Sequence, residues 1–316
     1  MFFFGTLMWI DDEHHSSPNN KNREVESYFR QIALLSATLR ASFAADLHVF
    51  TNDAKRISTW FRTKKSAPII IAIAPSITVP SRIGFYSAHY KLDALAAGLD
   101  LLRGAGDMFI LLDTDVIAHH PFSAEQAEMI SRADLVVYDI SDQVFPAYGA
   151  ATVIRDIERV AHNSFIDPKW FGGEFIAGSK RGLTRLIEHA RAVLHRYFEH
   201  AATLHHAGDE MFLTASLNAL MKEPGDLAIV TQNPYRLVSR HWSRSTERPI
   251  GFHLRHSFVH CPGSKPVLEL LSLVKAPGSR LISICLRVYQ MLVLVYQSAK
   301  AILKQPSIIL FICSTC

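Results

Sequence analysis

The chain has 316 residues, 49% hydrophobic and 20% charged, with a formal net charge of +4. That length and balance describe a globular protein with room for one large α/β domain or two small ones. The charge is uneven: from Gly251 to Cys316 seven Lys/Arg stand against one acid, Glu269, a surplus of +6 that leaves about −2 on the first 250 residues. A basic end suits an anionic surface or a phosphate ligand, whereas the lack of a basic stripe or reading motif argues against duplex nucleic acid.

The opening "MFFFGTLMWIDDE" has no basic start and turns acidic after ten residues, so it reads as a first strand rather than a signal peptide. Residues Asn22 to Arg40 have helical spacing. "DLHVFTND" alternates and then breaks into turn residues, as a second strand would. "APIIIAIAP" is an Ile-rich run between prolines, the mark of a buried parallel strand. "YSAHYKLDALAAGLDLLRGAG" predicts a helix that stops at Gly104 and Gly106. Strands follow at "DMFILLDTD" and "ADLVVYDIS". Strands alternating with helices predict an open, mostly parallel α/β sheet with helices on both faces, which binds ligands at the carboxyl ends of its strands.

Within "DMFILLDTDVIAHHPF", four large apolar residues run straight into Asp113, Thr114 and Asp115. If the strand continues, both carboxylates share one face. Two such charges repel unless a cation joins them, and hard divalent ions bind carboxylate oxygens, so Mg²⁺ or Mn²⁺ is the expected partner. The plain alternative is a strand end whose acids cap a turn. Far downstream, "FVHCPGSKP" sets His260, Gly263, Lys265 and Pro266 close together. An imidazole would complete a mixed O/N site suited to Mn²⁺, a glycine would let the backbone approach a phosphate, and a lysine would neutralise it. His253 and His256 read as structural.

These two motifs resemble those of nucleotide-sugar-dependent glycosyltransferases with the GT-A fold, and of glycosyltransferase family 8 in particular. The family carries Asp-x-Asp after a helix like "SAHYKLDALAAGL", often with Arg where Lys91 stands. It also carries H-x-x-G-x-x-K-P-W, against which this chain is one residue short and lacks the Trp. The resemblance implies a metal (Mn²⁺ or Mg²⁺) held by Asp113, Asp115 and His260. It implies donor contacts from Thr6, Asp12, Lys91, Asp113, Thr114, Asp115, Gly172, Gly173, Gly263 and Lys265. Lys91 could equally be a solvated helix lysine.

"WFGGEFIAGSKRGLTRLIEHARAVL" begins with a glycine pair and continues into a helix. In GT-A enzymes a comparable stretch closes over the donor sugar, although Gly172 and Gly173 could serve only a tight turn. In "HHAGDEMFLTASLNAL", Asp209 and Glu210 open a helix, where carboxylates also favour the dipole. The stretch resembles the Asp-Glu segment of family 6 and the Asp-Gln segment of family 8. That likeness would put Glu210, or Asp209, beneath the sugar ring as the catalytic carboxylate of a retaining reaction.

The sequence thus divides into an expected catalytic domain, residues 1–278, and a basic amphipathic tail, 279–316. In the tail a polar line runs Arg280, Ser283, Arg287, Gln290, Leu294, Gln297, Ala301, Lys304 through apolar surroundings. The longest uncharged stretch, Val288 to Ala299, has twelve residues, short of the roughly 20 that span a bilayer. A helix lying on a membrane surface fits better, and one packed on the domain is the alternative. The four cysteines, all in the last fifth, form no disulfide framework. The ending "CSTC" matches a prenylation box only in outline.

The expected function is a metal-dependent, retaining hexosyltransferase working from a UDP-sugar onto a glycan or glycolipid, as in lipopolysaccharide or other glycan assembly. Its expected place is cytoplasmic, peripheral at the inner face of a membrane. Two other readings stand beside it. One is a haloacid-dehalogenase-type phosphatase with Asp113 as nucleophile. The other is a non-catalytic, membrane-associated protein on a GT-A-like scaffold.

Overall fold

The computed structural model describes residues 1–11, 25–64, 66–81, 83–223, 227–243, 248–274 and 277–303. In chain order the elements begin β1 (Phe2–Met8), α1 (Val25–Phe43), β2 (Leu47–Thr51), α2 (Ala54–Phe61) and β3 (Ile69–Ala72). A 3-10 turn over Tyr86–Tyr90 enters α3 (Lys91–Gly98), and β4 (Met108–Leu112) and β5 (Val116–Ala118) follow. Next come α4 (Ala124–Arg132), β6 (Leu135–Asp139), α5 (Ser141–Tyr148) and α6 (Ala150–Ala161). The middle of the chain holds β7 (Phe171–Gly178), α7 (Lys180–His200), α8 (Asp209–Lys222) and β8 (Ile229–Thr231). The last elements are β9 (Val238–Arg240), α9 (Ile250–His253), β10 (Phe258–His260), α10 (Lys265–Leu271) and α11 (Ser279–Leu303).

Seven strands form one sheet in the order β3-β2-β1-β4-β7-β6-β8, parallel except at β7, which runs against both β4 and β6. The expected α/β architecture, open and mostly parallel, is therefore the one observed. β4 lies between β1 and β7, and all five of its residues are buried. That is why "MFILL" carries no alternation: both faces of the strand meet core.

The predicted helix before β4 is shorter than its spacing suggested. Phe85 takes a left-handed conformation (φ 57°) ahead of the 3-10 turn, and Leu102 is extended, so only Lys91–Gly98 is α-helical. The glycine pair of "WFGGEF" also sits differently. It lies inside β7, all eight residues of which are buried, and not at a helix entry.

A second, three-stranded sheet, β5-β10-β9, explains how distant motifs meet. β10 pairs antiparallel with β5, so that His260 stands opposite Val116, the residue after Asp115. The Cys261 N–H then donates to the Asp115 carbonyl at 3.0 Å. On the other flank the Asp113 N–H donates to the Glu174 carbonyl at 3.2 Å. The apolar side of the small sheet belongs to a separate core that includes Ile117, Val259, Leu268, Ile282 and Leu286.

The last two of those residues lie on α11, so its first turns pack on the domain. His119 Nε2 also lies 3.0 Å from Ser283 Oγ, and Gln290 is buried. The polar line predicted for the tail therefore faces the protein in part. Beyond these turns α11 exposes Met291, Leu292, Val295 and Tyr296. Ser279–Lys300, with mean hydropathy 1.4, is the one stretch among the described residues long and apolar enough to cross a membrane by length and composition. Lys304, Cys313 and Cys316 lie outside the described residues, as does Asp12.

Candidate active site

The carboxyl ends of β1 and β4, the start of α3, the loop before α8 and the end of β10 surround a cleft of about 670 Å³. That volume is in the range of small-molecule and cofactor sites. Asp113, Asp115, His260, Lys91, Lys265 and Glu210 all line it.

Asp113, Asp115 and His260 each offer one ligand atom, and these atoms lie within 4.8 Å of one another. His260 Nε2 is 3.1 Å from Asp115 Oδ1 and 3.9 Å from Asp113 Oδ2. Its other nitrogen, Nδ1, lies 3.1 Å from Glu174 Oε1. Burial alone would lower the His260 pKa, but the Asp115 and Glu174 carboxylates outweigh it and raise the value to about 9. These acids thus demand positive charge where the imidazole stands. A divalent ion with a neutral imidazole meets the same demand, and Glu174 would hold the Nδ1 proton so that Nε2 faces the ion. The donor set of two carboxylates and one imidazole suits Mn²⁺ or Mg²⁺.

The lysines are not solvated helix residues. Lys91 Nζ, nearly fully buried, lies 2.6 Å from Asp113 Oδ1 and 2.7 Å from Asp209 Oδ2, and it donates to the Gly173 carbonyl at 2.9 Å. Lys265 Nζ lies 3.2 Å from Asp115 Oδ2. Burial would raise the Asp115 pKa, but Lys265 and His260 pull it well below the usual carboxylate range. Asp113 behaves oppositely. Burial, with Asp115 and Asp209 adding to it, outweighs Lys91 and His260 and lifts its pKa to about 6.

A second ionic group adjoins the first. Arg240, at the end of β9, is buried between Glu174 and Glu210 and binds both through Nη2; its Nε also reaches Glu174 Oε1 at 2.7 Å. Glu210 Oε2 accepts from the Trp170 indole at 3.0 Å. Burial would raise the Glu210 pKa, but Arg240 dominates and lowers it, so the carboxylate is ionised. Across the two groups five carboxylates face three permanent cations. A protonated His260 leaves one negative charge; a divalent ion with neutral His260 leaves none.

The predicted glycines take unexpected parts. A Cβ on Gly173 would lie 2.4 Å from Asp209 Oδ2 and 3.1 Å from Lys91 Nζ; one on Gly172 would lie 2.2 Å from Glu174 Oε2. They make room for buried ion pairs, and neither lines the cleft. Gly263 is also off the cleft, its carbonyl accepting from Ser243 Oγ at 2.9 Å. Thr6 is fully buried in mid-sheet, opposite Leu112 on one side and Val49 on the other. Strand burial holds Thr6, Gly172 and Gly173 behind the cleft surface, whereas Gly263 is half-buried and adjoins Pro262, which lines the cleft. Thr114 does line the cleft.

The sequence reading missed Glu174, Arg240, Trp170, His205 and His206. Glu174 had a signal, since a carboxylate in the otherwise apolar run "FGGEFIAG" needs a buried partner. Arg240, in the short strand "VSR", had none.

No family model matches the sequence, and no curated protein matches it. Solved structures do. A crystal structure of an active-site mutant of LgtC aligns with TM-score 0.50 and 12% identity, covering 82% of this chain and 86% of that one. A structure of the galactosyltransferase LgtC in complex with donor and acceptor sugar analogs aligns with TM-score 0.50 and 11% identity over the same shares. At such identity the likeness speaks for the fold, and this chain has the GT-A fold that LgtC shows.

Proposed function

We propose that this protein is a metal-dependent glycosyltransferase that moves a hexosyl group from a UDP-sugar to a glycan or glycolipid acceptor with retention of configuration. The observation that carries the reading is the convergence of Asp113, Asp115 and His260 on one point of the cleft, at the carboxyl edge of a GT-A sheet. A Mn²⁺ or Mg²⁺ ion bound there supplies Lewis-acid charge to the departing diphosphate. Lys91 and Lys265 fix the two aspartates from behind. Trp9 and Tyr28, on the cleft wall beyond β1, offer aromatic faces to a nucleobase.

Glu210 presents an ionised carboxylate to the cleft, held in place by Arg240 and Trp170. A fixed anion of this kind stabilises positive charge developing at the anomeric carbon, or attacks that carbon to form a covalent intermediate. Both acids are paired with a cation, but Glu210 keeps the more exposed side chain, 15% against 8% for Asp209, which makes it the favoured of the two.

The proposal includes attachment to the cytoplasmic face of a membrane through α11, whose exposed apolar residues lie on the same helix as Arg280, Arg287 and Lys300.

The deciding experiment incubates the protein with a panel of UDP-sugars and Mn²⁺, with and without EDTA. Slow, EDTA-sensitive release of UDP supports the reading. Hydrolysis of an aryl phosphate with phosphate trapped on Asp113 would establish the phosphatase instead. Turnover of neither, with intact Mn²⁺ binding, would leave a non-catalytic binding protein.

A further inference from the structure

One wall of the cleft carries polar groups that the donor reading does not use. Asp156 on α6 is fully buried, on a helix face whose neighbours are Val153, Ile157 and Val160. A carboxylate there is costly without strong partners. Its principal partner is His205, in the loop before α8. Asp156 Oδ2 accepts from the His205 backbone N–H at 2.9 Å and lies 2.8 Å from His205 Nδ1. A carboxylate only accepts, so Nδ1 carries a proton, and in the neutral ring Nε2 bears the lone pair. Nε2 is buried and has no hydrogen-bond partner among the described residues.

A second orphan lies on the same wall. The Gln143 amide nitrogen, on α5, is buried and likewise without a partner. Both side chains line the cleft. The His205 ring packs on Trp170 at 4.8 Å, and the Trp170 indole holds Glu210. The wall is thus one side chain away from the carboxylate assigned to the reacting sugar. An unpaired acceptor and an unpaired donor suit a group that both gives and takes a hydrogen bond, which is what a sugar hydroxyl does.

We infer that His205, oriented by Asp156 and assisted by Gln143, forms the subsite for the acceptor hydroxyl. This rests on the glycosyltransferase reading and deepens it. The hydroxyl oxygen forms the new bond to the anomeric carbon. Its proton passes to His205 Nε2, whose imidazolium is stabilised by Asp156. The leaving group departs with the electron pair of the bond it breaks: Glu210 from a covalent intermediate or, where the hydroxyl enters on the face the diphosphate leaves, the diphosphate itself, either route retaining configuration. Gln143 donates to the hydroxyl or its neighbour and sets the acceptor's orientation.

The test uses the full chain, the UDP-hexose that the wild type hydrolyses best, and a panel of methyl hexopyranosides as acceptor probes. The ratio of transfer to hydrolysis is measured for wild type, His205→Gln, Asp156→Asn and Gln143→Ala. His205→Gln should lower that ratio by about 100-fold, the lower end of general-base contributions. Gln143→Ala should raise the acceptor KM with little change in kcat. Nitrogen NMR of the wild type gives a readout free of activity: His205 should appear as the Nδ1–H tautomer, and that tautomer should be lost in Asp156→Asn. An unchanged ratio in His205→Gln, equal losses of transfer and hydrolysis, or an Nε2–H tautomer in the wild type would overturn the subsite. No UDP-sugar turnover by the wild type would instead overturn the glycosyltransferase reading, so the two failures are distinguishable.

Discussion

Arg240 and Glu210 form a buried ion pair at the cleft, and the same guanidinium holds Glu174, the carboxylate behind His260. One cation thereby ties the carboxylate proposed to lie under the sugar to His260, a proposed metal ligand. Glu210→Gln keeps an acceptor oxygen for Arg240 or Trp170 and removes the charge. Turnover should fall by about two orders of magnitude or more with donor affinity little changed, the pattern of an interaction made in the transition state. Near-normal turnover would return Glu210 to the dipole role open to any acid at a helix start. Arg240→Ala takes their shared cation from Glu174 and Glu210, leaving His260 beside the first and the Trp170 indole beside the second, and should cost about 3–5 kcal/mol of stability, read by denaturant titration.

The two aspartates proposed as metal ligands should separate by stability. Asp113 is crowded by Asp115 and Asp209, and burial with their charge lifts its pKa to about 6. Asp113→Asn removes that repulsion while Lys91 keeps Asp209 and the Gly173 carbonyl. It should preserve or raise the melting temperature. Asp115→Asn strips a partner from both Lys265 and His260 and should lower it. Both should weaken Mn²⁺ binding in calorimetry at least tenfold. Undiminished Mn²⁺ affinity in either variant would dismiss the three-ligand site.

Gly173→Ala tests why that glycine is there. Its Cβ would fall 2.4 Å from Asp209 Oδ2, and β7 is buried along its length. Forcing a methyl into such packing costs about 1–3 kcal/mol, and here it also spreads the Lys91–Asp209 pair. A large loss of stability and of activity together is expected. A neutral result would mean that this corner has slack that the geometry does not show.

Much of this was legible in the sequence because it rests on local pattern. The apolar run into Asp113 announced a central strand with acids at its carboxyl end, and the unalternating "MFILL" announced burial on both faces. His260 was found through Gly263 and Lys265, of which Lys265 lines the cleft with it and Gly263 does not. Arg240 and the Asp156–His205 pair were not legible, since their meaning lies in contacts between residues dozens of positions apart. Gly172 and Gly173 were noticed for a reason the structure replaces. A glycine pair looks the same whether it admits a ligand, turns a chain or clears space for a salt bridge.

Stability should fall in mild acid for reasons outside the cleft. Burial lowers the pKa of His253 to about 3, with His241 and His256 adding to the effect. Burial, with His120, lowers His119 to about 4. Folded and unfolded forms are alike neutral at these positions above pH 6.5. Below it the unfolded chain takes up protons that the folded one refuses, so stability is lost as pH falls from 6.5 toward 4. The melting temperature should decline as pH rises from 7 toward 9, where His260, held protonated by Asp115 and Glu174, gives up its proton. It should also drop by several degrees between 6.5 and 4.5. His119→Gln, which keeps a polar atom for Ser283, should flatten part of that slope; an unchanged slope would remove His119 from the account.

The tail can be divided by where it stops packing. Ile282 and Leu286 are buried in the core beneath the small sheet, and burying each is worth roughly 1.5–3 kcal/mol. Truncation after Gly278 should therefore destabilise the domain, because it uncovers Val259 and Leu268. Truncation after Gln290 keeps those contacts and removes Met291, Leu292, Val295 and Tyr296, the exposed apolar side chains of the later turns. It should leave a folded enzyme that still hydrolyses donor. It should also lose binding to vesicles of anionic phospholipid. Arg280 and Arg287 survive the cut, and their attraction to an anionic surface is worth only about 1 kcal/mol per charge. If insertion of the apolar side chains dominates, the shortened protein should leave the vesicles even at low salt, while the full chain stays bound at high salt with reduced affinity. Equal binding by the two forms would show that the later turns do not hold the membrane, and the proposed peripheral location would fall with it.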